Sequence, residues 1–255
     1  MNFLSALGFL TIIPVGKRGA ASQSLADSAV YFPLVGLVLG VTLAGLDYGL
    51  CRVLPNMLAS AITVAVLVLL TGALHFEGFV DSCDGLFGGH TRERQLEIMR
   101  MKNVGAYAVA GGALLLILKF AAISALTHEC DRFWVIVIFP MLSRWGMMLA
   151  LSVFPYARAQ GLGTAFRGVK TVLVVIAATI TLILAGVFAG LAGALLFALA
   201  TIVAILIGLW VTKLLGGLTG DIYGATNELT EVIILIAAIG IMHYISIEPI
   251  WQVAS

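Results

Sequence analysis

The chain has 255 residues, of which 61% are hydrophobic and only 11% are charged. A water-soluble domain of this size cannot bury so much apolar surface, so the composition excludes an ordinary soluble enzyme and indicates a protein embedded in a lipid bilayer. The net charge of +1 would not attract nucleic acid, and we expect no nucleic-acid partner. The three cysteines form no CxxC pair, which argues against a zinc site or a disulfide framework.

The apolar runs predict about seven transmembrane helices, because one crossing of the bilayer takes about 20 apolar residues. Residues 1–14 are also apolar but lack a basic start and a cleavage site, so we interpret them as an interfacial or re-entrant segment. We divide the stretch 171–212 at Gly190, because one helix of that length would exceed the bilayer thickness. One bent helix plus a re-entrant piece is the alternative. The predicted spans are 30–50, 57–74, 105–126, 134–153, 171–188, 191–212 and 231–247.

The distribution of basic residues predicts the orientation of these spans. Ten of the 14 Lys and Arg residues fall on the same side as the N-terminus, and cytoplasmic loops usually hold such an excess. These ten are Lys17, Arg18, Arg92, Arg94, Arg100, Lys102, Arg158, Arg167, Lys170 and Lys213. Only Arg52 and Arg132 fall on the other side, whereas Lys119 and Arg144 lie within spans. We therefore expect a cytoplasmic N-terminus, an outer C-terminus and cytoplasmic polar segments.

The predicted fold class is all-α, a polytopic transmembrane helical bundle in the cytoplasmic (inner) membrane. We find no internal repeat, low-complexity tract or hydrophilic linker in the sequence. Residues 1–255 are therefore expected to form a single integral membrane domain that contacts the lipid bilayer. The sequence leaves open whether the protein forms a homo-oligomer.

A first group of acidic residues follows the second predicted span. Glu77, Asp81 and Asp84 are spaced by four and three residues, which places all three on one face of a helix. Like charges in such positions repel, and desolvation near the membrane adds to the cost, so a bound cation would compensate them. Carboxylate oxygens suit Mg²⁺, which bridges carboxylates to substrate phosphates.

A second acidic group, Asp221, Glu228 and Glu231, is expected on the same side of the membrane and also on one helical face. Two such faces would form a cradle for a metal ion and a diphosphate during phosphoryl transfer. Nearby glycines would let the backbone approach oxyanions, namely Gly85, Gly88, Gly89, Gly216, Gly217 and Gly220. Solvated helix ends and helix packing are the plainer explanation. The six acids, however, are nearly half of the 13 Asp and Glu residues, which favours a functional site.

These segments resemble cobalamin synthase, the adenosylcobinamide-GDP ribazoletransferase family. The family pattern His-Leu-Asp-Gly-x-x-Asp-x-x-Asp-Gly is similar to His75 to Gly85, and Arg-Glu-Arg-x-Leu-Glu-Ile-Met matches Arg92 to Met99. The late motif Gly-Gly-x-Thr-Gly-Asp-x-x-Gly-Ala matches Gly216 to Ala225. Weaker similarities are Tyr31-Phe-Pro-Leu-Val-Gly, Arg144, Pro155-Tyr-Ala-Arg and Gly161-Leu-Gly-x-x-Phe166. The resemblance covers essentially the whole chain, in the family's order.

The resemblance implies a Mg²⁺-dependent transferase that joins adenosylcobinamide-GDP to α-ribazole or its 5′-phosphate and releases GMP. It assigns metal binding and activation of the attacking hydroxyl to four carboxylates: Glu77, Asp81, Asp84 and Asp221. It assigns substrate binding to His75, Arg92, Arg94, Arg100, Arg144, Gly85, Gly217, Thr219, Gly220 and Glu228. The active face is expected to be cytoplasmic. The chain departs from the family pattern where Glu77 replaces an aspartate and where Met101 and Asn103 replace an acid and an arginine.

Two alternatives to this function stay open at this point. A CDP-alcohol phosphotransferase also holds a metal and a diphosphate on membrane helices, but its Asp-Gly-x-x-Ala-Arg element is absent after Asp84. A cation-coupled transporter could use Lys119 and Arg144 within the membrane, but the acids lie at one boundary and no repeat is visible.

Two basic residues within the spans have more than one interpretation. Arg144 either contacts substrate or forms a structural ion pair, whereas Lys119 is expected to snorkel or to pair internally.

Overall fold

The computed structural model describes residues 2–15, 26–101, 103–127, 129–166, 168–245 and 249. Across these ranges the chain is helical, and its one β contact is an isolated bridge between Tyr156 and Leu218. The helices are α1 Asn2–Leu10, α2 Phe32–Cys51, α3 Asn56–Leu70, α4 Leu74–Gly88, α5 Arg92–Ile98, α6 Ala106–Ala125, α7 Glu129–Val153, α8 Thr171–Leu215 and α9 Gly220–Met242. Two short 3₁₀ segments lie at Ala29–Tyr31 and Leu162–Phe166. The all-α prediction is confirmed.

Helix α7 forms the centre of the bundle, and 94% of its most apolar 18-residue window is buried. Helices α2, α8 and α9 pack around it. Gly36 and Gly40 of α2 lie directly against the α7 backbone, because a Cβ on either would overlap the carbonyl oxygen of Pro140 or Val137. A helix that is apolar on all sides is typical of a bundle core.

Five helices in the described part of the chain are long and apolar enough to cross a membrane. A sixth crossing is added if α3 and α4, which meet at 90°, form one broken span. The protein is therefore a multi-pass membrane protein. The count of seven spans and the side of the N-terminus stay predictions. Helix α1 has nine residues, about 14 Å at 1.5 Å per residue, which is too short to cross the bilayer.

Helix α8 runs for 45 residues but is broken at Ala189 and Gly190, whose φ/ψ angles are not helical. After this break the chain turns back on itself. The evidence is the close approach of Gly193 to Ala185, since a Cβ on Gly193 would overlap the carbonyl oxygen of Ala185. In a straight helix, residues eight apart are separated by about 12 Å. The break that the sequence predicts at Gly190 is therefore confirmed.

Two boundaries differ from the predicted spans in ways that affect the site. Helix α9 begins at Gly220 instead of 231, so the second acidic group lies inside a helix that extends deep into the bundle. Helix α3 ends at Leu70, and Gly72 and Ala73 take left-handed angles (φ 60° and 56°). These angles make the bend from which α4 starts.

Four of the ten basic residues used to predict the orientation lie outside the described residues: Lys17, Arg18, Lys102 and Arg167.

Candidate active site

Helices α4 and α9 touch through two glycines. A Cβ on Gly78 would lie 2.8 Å from the carbonyl oxygen of Asp221, and a Cβ on Gly224 would lie 2.9 Å from that of His75. Real Cβ atoms do not approach backbone oxygens so closely, so only glycine fits at both positions. Small residues at such crossings let membrane helices approach closely. This contact brings the acids of α4 next to the first turn of α9.

Three carboxylates line one cavity of about 220 Å³ at this crossing: Glu77, Asp81 and Asp221. The Asp81 carboxylate is partly buried and is repelled by the like charges of Asp221 and Glu77. Among the described residues that line the cavity, none is Lys or Arg. The convergence of the two sequence segments on one site, expected from the predicted topology, is present for these three acids.

The donor set of the cavity fits a hard divalent cation. Among the described residues, no three His, Cys, Asp or Glu side chains lie close enough together to enclose a metal ion by themselves. Mg²⁺ does not need such a cage, because it keeps several waters and binds through one or two carboxylates plus substrate phosphates. Carboxylates that face a common cavity and repel one another match that mode of binding.

Arg158 is a site residue that the assignment from sequence missed. Its Nη2 atom lies 2.9 Å from Oδ2 of Asp221. Its loop is held in place because Ala157 N donates to Leu218 O and Leu218 N donates to Pro155 O, both at 2.8 Å. The weaker family similarity at Pro155-Tyr-Ala-Arg158 was the signal that could have identified it.

Gly217 allows the close approach of these two loops. Its φ is 155°, and a Cβ there would lie 2.5 Å from the carbonyl oxygen of Pro155. Gly217 therefore has a structural role at this contact. Its predicted part in substrate binding stays a prediction. Gly220, by contrast, lines the cavity and has open space where a Cβ would be, which fits an approaching ligand.

Thr219 caps α9 and orients Asp221. Its Oγ1 accepts a hydrogen bond from Ile222 N at 3.3 Å and lies 3.2 Å from Asp221 Oδ2, to which it donates. Thr219 is itself fully buried. Thr219 therefore lies next to the Asp221 carboxylate, within the predicted site.

Asp84 has different surroundings from the other acids of α4. Its Oδ1 accepts from Ala108 N at 2.8 Å and its Oδ2 accepts from Gly105 N at 2.5 Å. Both oxygens thus satisfy backbone groups at the start of α6, which otherwise lack helical partners. The three acids lie in one α-helix with the predicted spacing, but Asp84 is not among the residues lining the cavity. Its role as a metal ligand stays a prediction.

Glu228 and Glu231 do not join the carboxylate site, which corrects the prediction of a second acidic face. Lys119 donates to both of them, and Arg144 pairs with Glu231. All four side chains are at most 7% exposed. Buried charges are tolerated when they are paired. Glu228 is therefore an ion-pair residue, Arg144 takes the structural alternative, and the prediction that Lys119 pairs internally is confirmed.

The basic residues of α5 lie outside the cavity lining. Arg92 Nε donates to Leu215 O at 2.7 Å and its guanidinium faces Gly216, so it is tied to the segment that leads into α9. Arg94 pairs with Glu97 at 2.8 Å on an exposed surface, and Arg100 is exposed. Their predicted contacts with phosphate stay untested.

Two further residues of the predicted site occupy buried positions on α4. His75 is 3% exposed, lines the cavity and has an Nε2 atom without a partner among the described residues. Gly85 packs against α5, because a Cβ there would lie 2.9 Å from Gln95 O and would overlap the Met99 side chain. His75 is thus positioned to meet a ligand, whereas Gly85 contributes to helix packing.

Comparison with known proteins places the chain in one family. The family model described as cobalamin-5-phosphate synthase matches residues 2–239. A protein of Geotalea daltonii named adenosylcobinamide-GDP ribazoletransferase is 38% identical over 94% of this chain and 97% of its own. A relative of the same name in Desulfitobacterium hafniense is 36% identical over 93% of this chain and 96% of the relative's own length. No solved structure matches. The chain belongs to the cobalamin-5-phosphate synthase family.

Proposed function

We propose that this chain is a transferase that joins adenosylcobinamide-GDP to α-ribazole or its 5′-phosphate and releases GMP. The observation that carries the proposal is the convergence of Glu77, Asp81 and Asp221, from two distant segments, on one cavity. The relatives named for this activity cover nearly the whole chain. The family match leaves no support for a CDP-alcohol phosphotransferase or a transporter.

In the reaction, a ribose hydroxyl attacks the phosphorus that carries the corrinoid, and a new oxygen–phosphorus bond forms. The bond from that phosphorus to the oxygen bridging to GMP breaks, and GMP leaves with the electron pair. A carboxylate of the cavity accepts the hydroxyl proton. Because the carboxylates converge from α4 and α9, they can hold the attacking hydroxyl in one place. The diphosphate is itself anionic and needs a cation in order to lie beside them.

Mg²⁺ is the cofactor that we propose for this site. One or two of the carboxylates of Glu77, Asp81 and Asp221 would hold it, together with waters and substrate phosphates. When bound, it would neutralise the charge that develops on the diphosphate. The repulsion of Asp81 by Asp221 and Glu77 supports this assignment, because a divalent cation removes that cost.

Among the described residues, Arg158 is the cation best placed to bind the diphosphate. It lies at the edge of the carboxylate group, beside Asp221. An arginine side chain presents a planar fork that pairs with two phosphate oxygens. In this proposal Arg158 orients the leaving phosphate while its pairing with Asp221 holds the guanidinium in position.

We place the protein in the cytoplasmic membrane with its active face towards the cytoplasm. The excess of Lys and Arg on the N-terminal side supports this orientation. Arg92 and Arg94 lie in α5 and Arg100 follows it. This excess of basic residues on the segment after α4 supports a cytoplasmic position for the site as well.

A direct assay tests the activity. The purified protein in lipid, given adenosylcobinamide-GDP, α-ribazole 5′-phosphate and Mg²⁺, should release GMP together with the joined corrinoid. Omission of the divalent ion should stop release. Absence of GMP with every divalent ion tried would refute the proposed function.

The variant Asp81→Asn tests the carboxylate site. We expect kcat to fall by about 100-fold or more, because the charge that faces Asp221 and Glu77 is lost from the position where cation and hydroxyl meet. The matched control is Glu93→Gln, an acid on α5 whose side chain is 80% exposed, which should keep the wild-type rate. Thermal unfolding of both proteins in lipid checks their folding. A near-normal rate for Asp81→Asn would remove this carboxylate from the mechanism.

A further inference from the structure

The cavity lined by the carboxylates is also lined by aromatic side chains. Three phenylalanines line it together with the acids: Phe9, Phe32 and Phe166. They come from α1, α2 and the 3₁₀ segment Leu162–Phe166, and their ring centroids lie 5.3 to 6.0 Å apart. The cavity is therefore amphipathic, because both carboxylates and aromatic rings line it.

From this arrangement we infer that the cavity binds the nucleoside acceptor, with the aromatic base of α-ribazole against Phe9, Phe32 and Phe166 and its ribose towards the carboxylates. This assignment rests on the proposed function. It makes the three phenylalanines the residues that select the base.

The size of the cavity distinguishes the two substrates. At about 220 Å³ it lies below the usual range of ligand pockets, roughly 300–1,000 Å³. A fused two-ring base is small enough to enter such a space. A corrin macrocycle with its amide side chains is several times larger and must stay outside, with its diphosphate reaching in towards Arg158.

The chemistry of the lining supports the same assignment. Aromatic side chains bind flat rings by offset stacking or edge-to-face contact, whereas a ribose needs polar partners. His75 supplies one, because its buried Nε2 atom has no partner among the described residues and the residue lines the cavity. The carboxylates of Glu77 and Asp81 line the same cavity and supply the polar partners that the attacking hydroxyl needs.

A neighbouring cavity of about 340 Å³ is the competing location. It shares Leu151, Gly163, Phe166 and Tyr223 with the first cavity, but its described lining residues include no carboxylate. A nucleoside bound there would have no group beside it to accept the hydroxyl proton. The acceptor therefore belongs in the first cavity.

The variants Phe9→Leu and Phe166→Leu test the assignment. Each keeps an apolar side chain but removes a ring, so the KM for α-ribazole should rise about three- to tenfold, which is the effect of one aromatic contact. The KM for adenosylcobinamide-GDP should change by less than about twofold. The matched control is Phe133→Leu, a half-buried phenylalanine that packs on Tyr48 and Trp134 and should change neither constant.

Binding of α-ribazole alone, followed by the fluorescence of its benzimidazole, gives a readout that does not need turnover. Both variants should weaken this binding by the same factor as the KM. An increase confined to the corrinoid KM, or none in either constant, would overturn the assignment while the proposed function stands. A wild-type protein that releases no GMP with any riboside would overturn both.

Discussion

Asp81 and Asp84 lie three residues apart on α4, yet their carboxylates have different partners. Asp81 faces a cavity and two like charges, whereas both oxygens of Asp84 accept backbone hydrogen bonds from the start of α6. Spacing correctly places both residues near one side of α4. It cannot reveal that α6 begins against Asp84, because that contact joins segments 21 residues or more apart.

The variant Asp84→Asn should therefore act on stability. One of its two acceptors becomes an amide donor that faces a backbone N–H, which should lower the free energy of unfolding by about 1–3 kcal/mol. Thermal unfolding in lipid measures this loss, and Asp81→Asn serves as the comparison because removing a repelled charge should leave stability equal or higher. An Asp84→Asn protein that unfolds at the wild-type temperature would contradict the anchoring role.

At the scale of helices, the site depends on the crossing of α4 and α9. Gly78 and Gly224 permit that crossing, and the left-handed turn at Gly72 and Ala73 directs α4 towards α9. The sequence shows the glycines, but glycines are common in membrane helices. Which of them face a neighbouring backbone is decided by the packing.

Replacing Gly224 with alanine tests this crossing. The added Cβ would lie 2.9 Å from His75 O, so the two helices must separate, and we expect a loss of stability of about 1–3 kcal/mol with a GMP-release rate at least tenfold lower. The matched control is Gly240→Ala on the same helix, where a Cβ meets nothing within 4 Å. Equal rates for the two variants would show that the crossing tolerates separation.

The buried charges of α6, α7 and α9 give a second prediction for helix packing. The variant Lys119→Met leaves Glu228 without the partner described above and removes one of the two cations that pair with Glu231. This loss should destabilise the bundle by about 3–5 kcal/mol. Adding Glu228→Gln should recover part of the loss, and the exposed Lys213→Met should have no effect. Unfolding of the four proteins in lipid would measure the coupling, and a stable single variant would argue against it.

On the scale of the whole molecule, the buried α7 organises helices that are long and apolar enough to cross the membrane. Their orientation can be measured directly. In a protein without its native cysteines, His90→Cys should react with an impermeant reagent only from the cytoplasm, and Val53→Cys, in an exposed turn, only from outside. The reverse labelling pattern would invert the proposed topology.

The sequence by itself determined the membrane class, the all-helical fold, the break at Gly190 and the family, because apolar runs and local motifs are properties of neighbouring residues. It also identified Glu77, Asp81 and Asp221 as acids of one site. Only the tertiary structure decided that Glu228 and Glu231 neutralise Lys119 and Arg144, and that Arg158 joins Asp221. These pairings depend on which helix faces meet, and spacing within a single helix carries no information about the face of its neighbour.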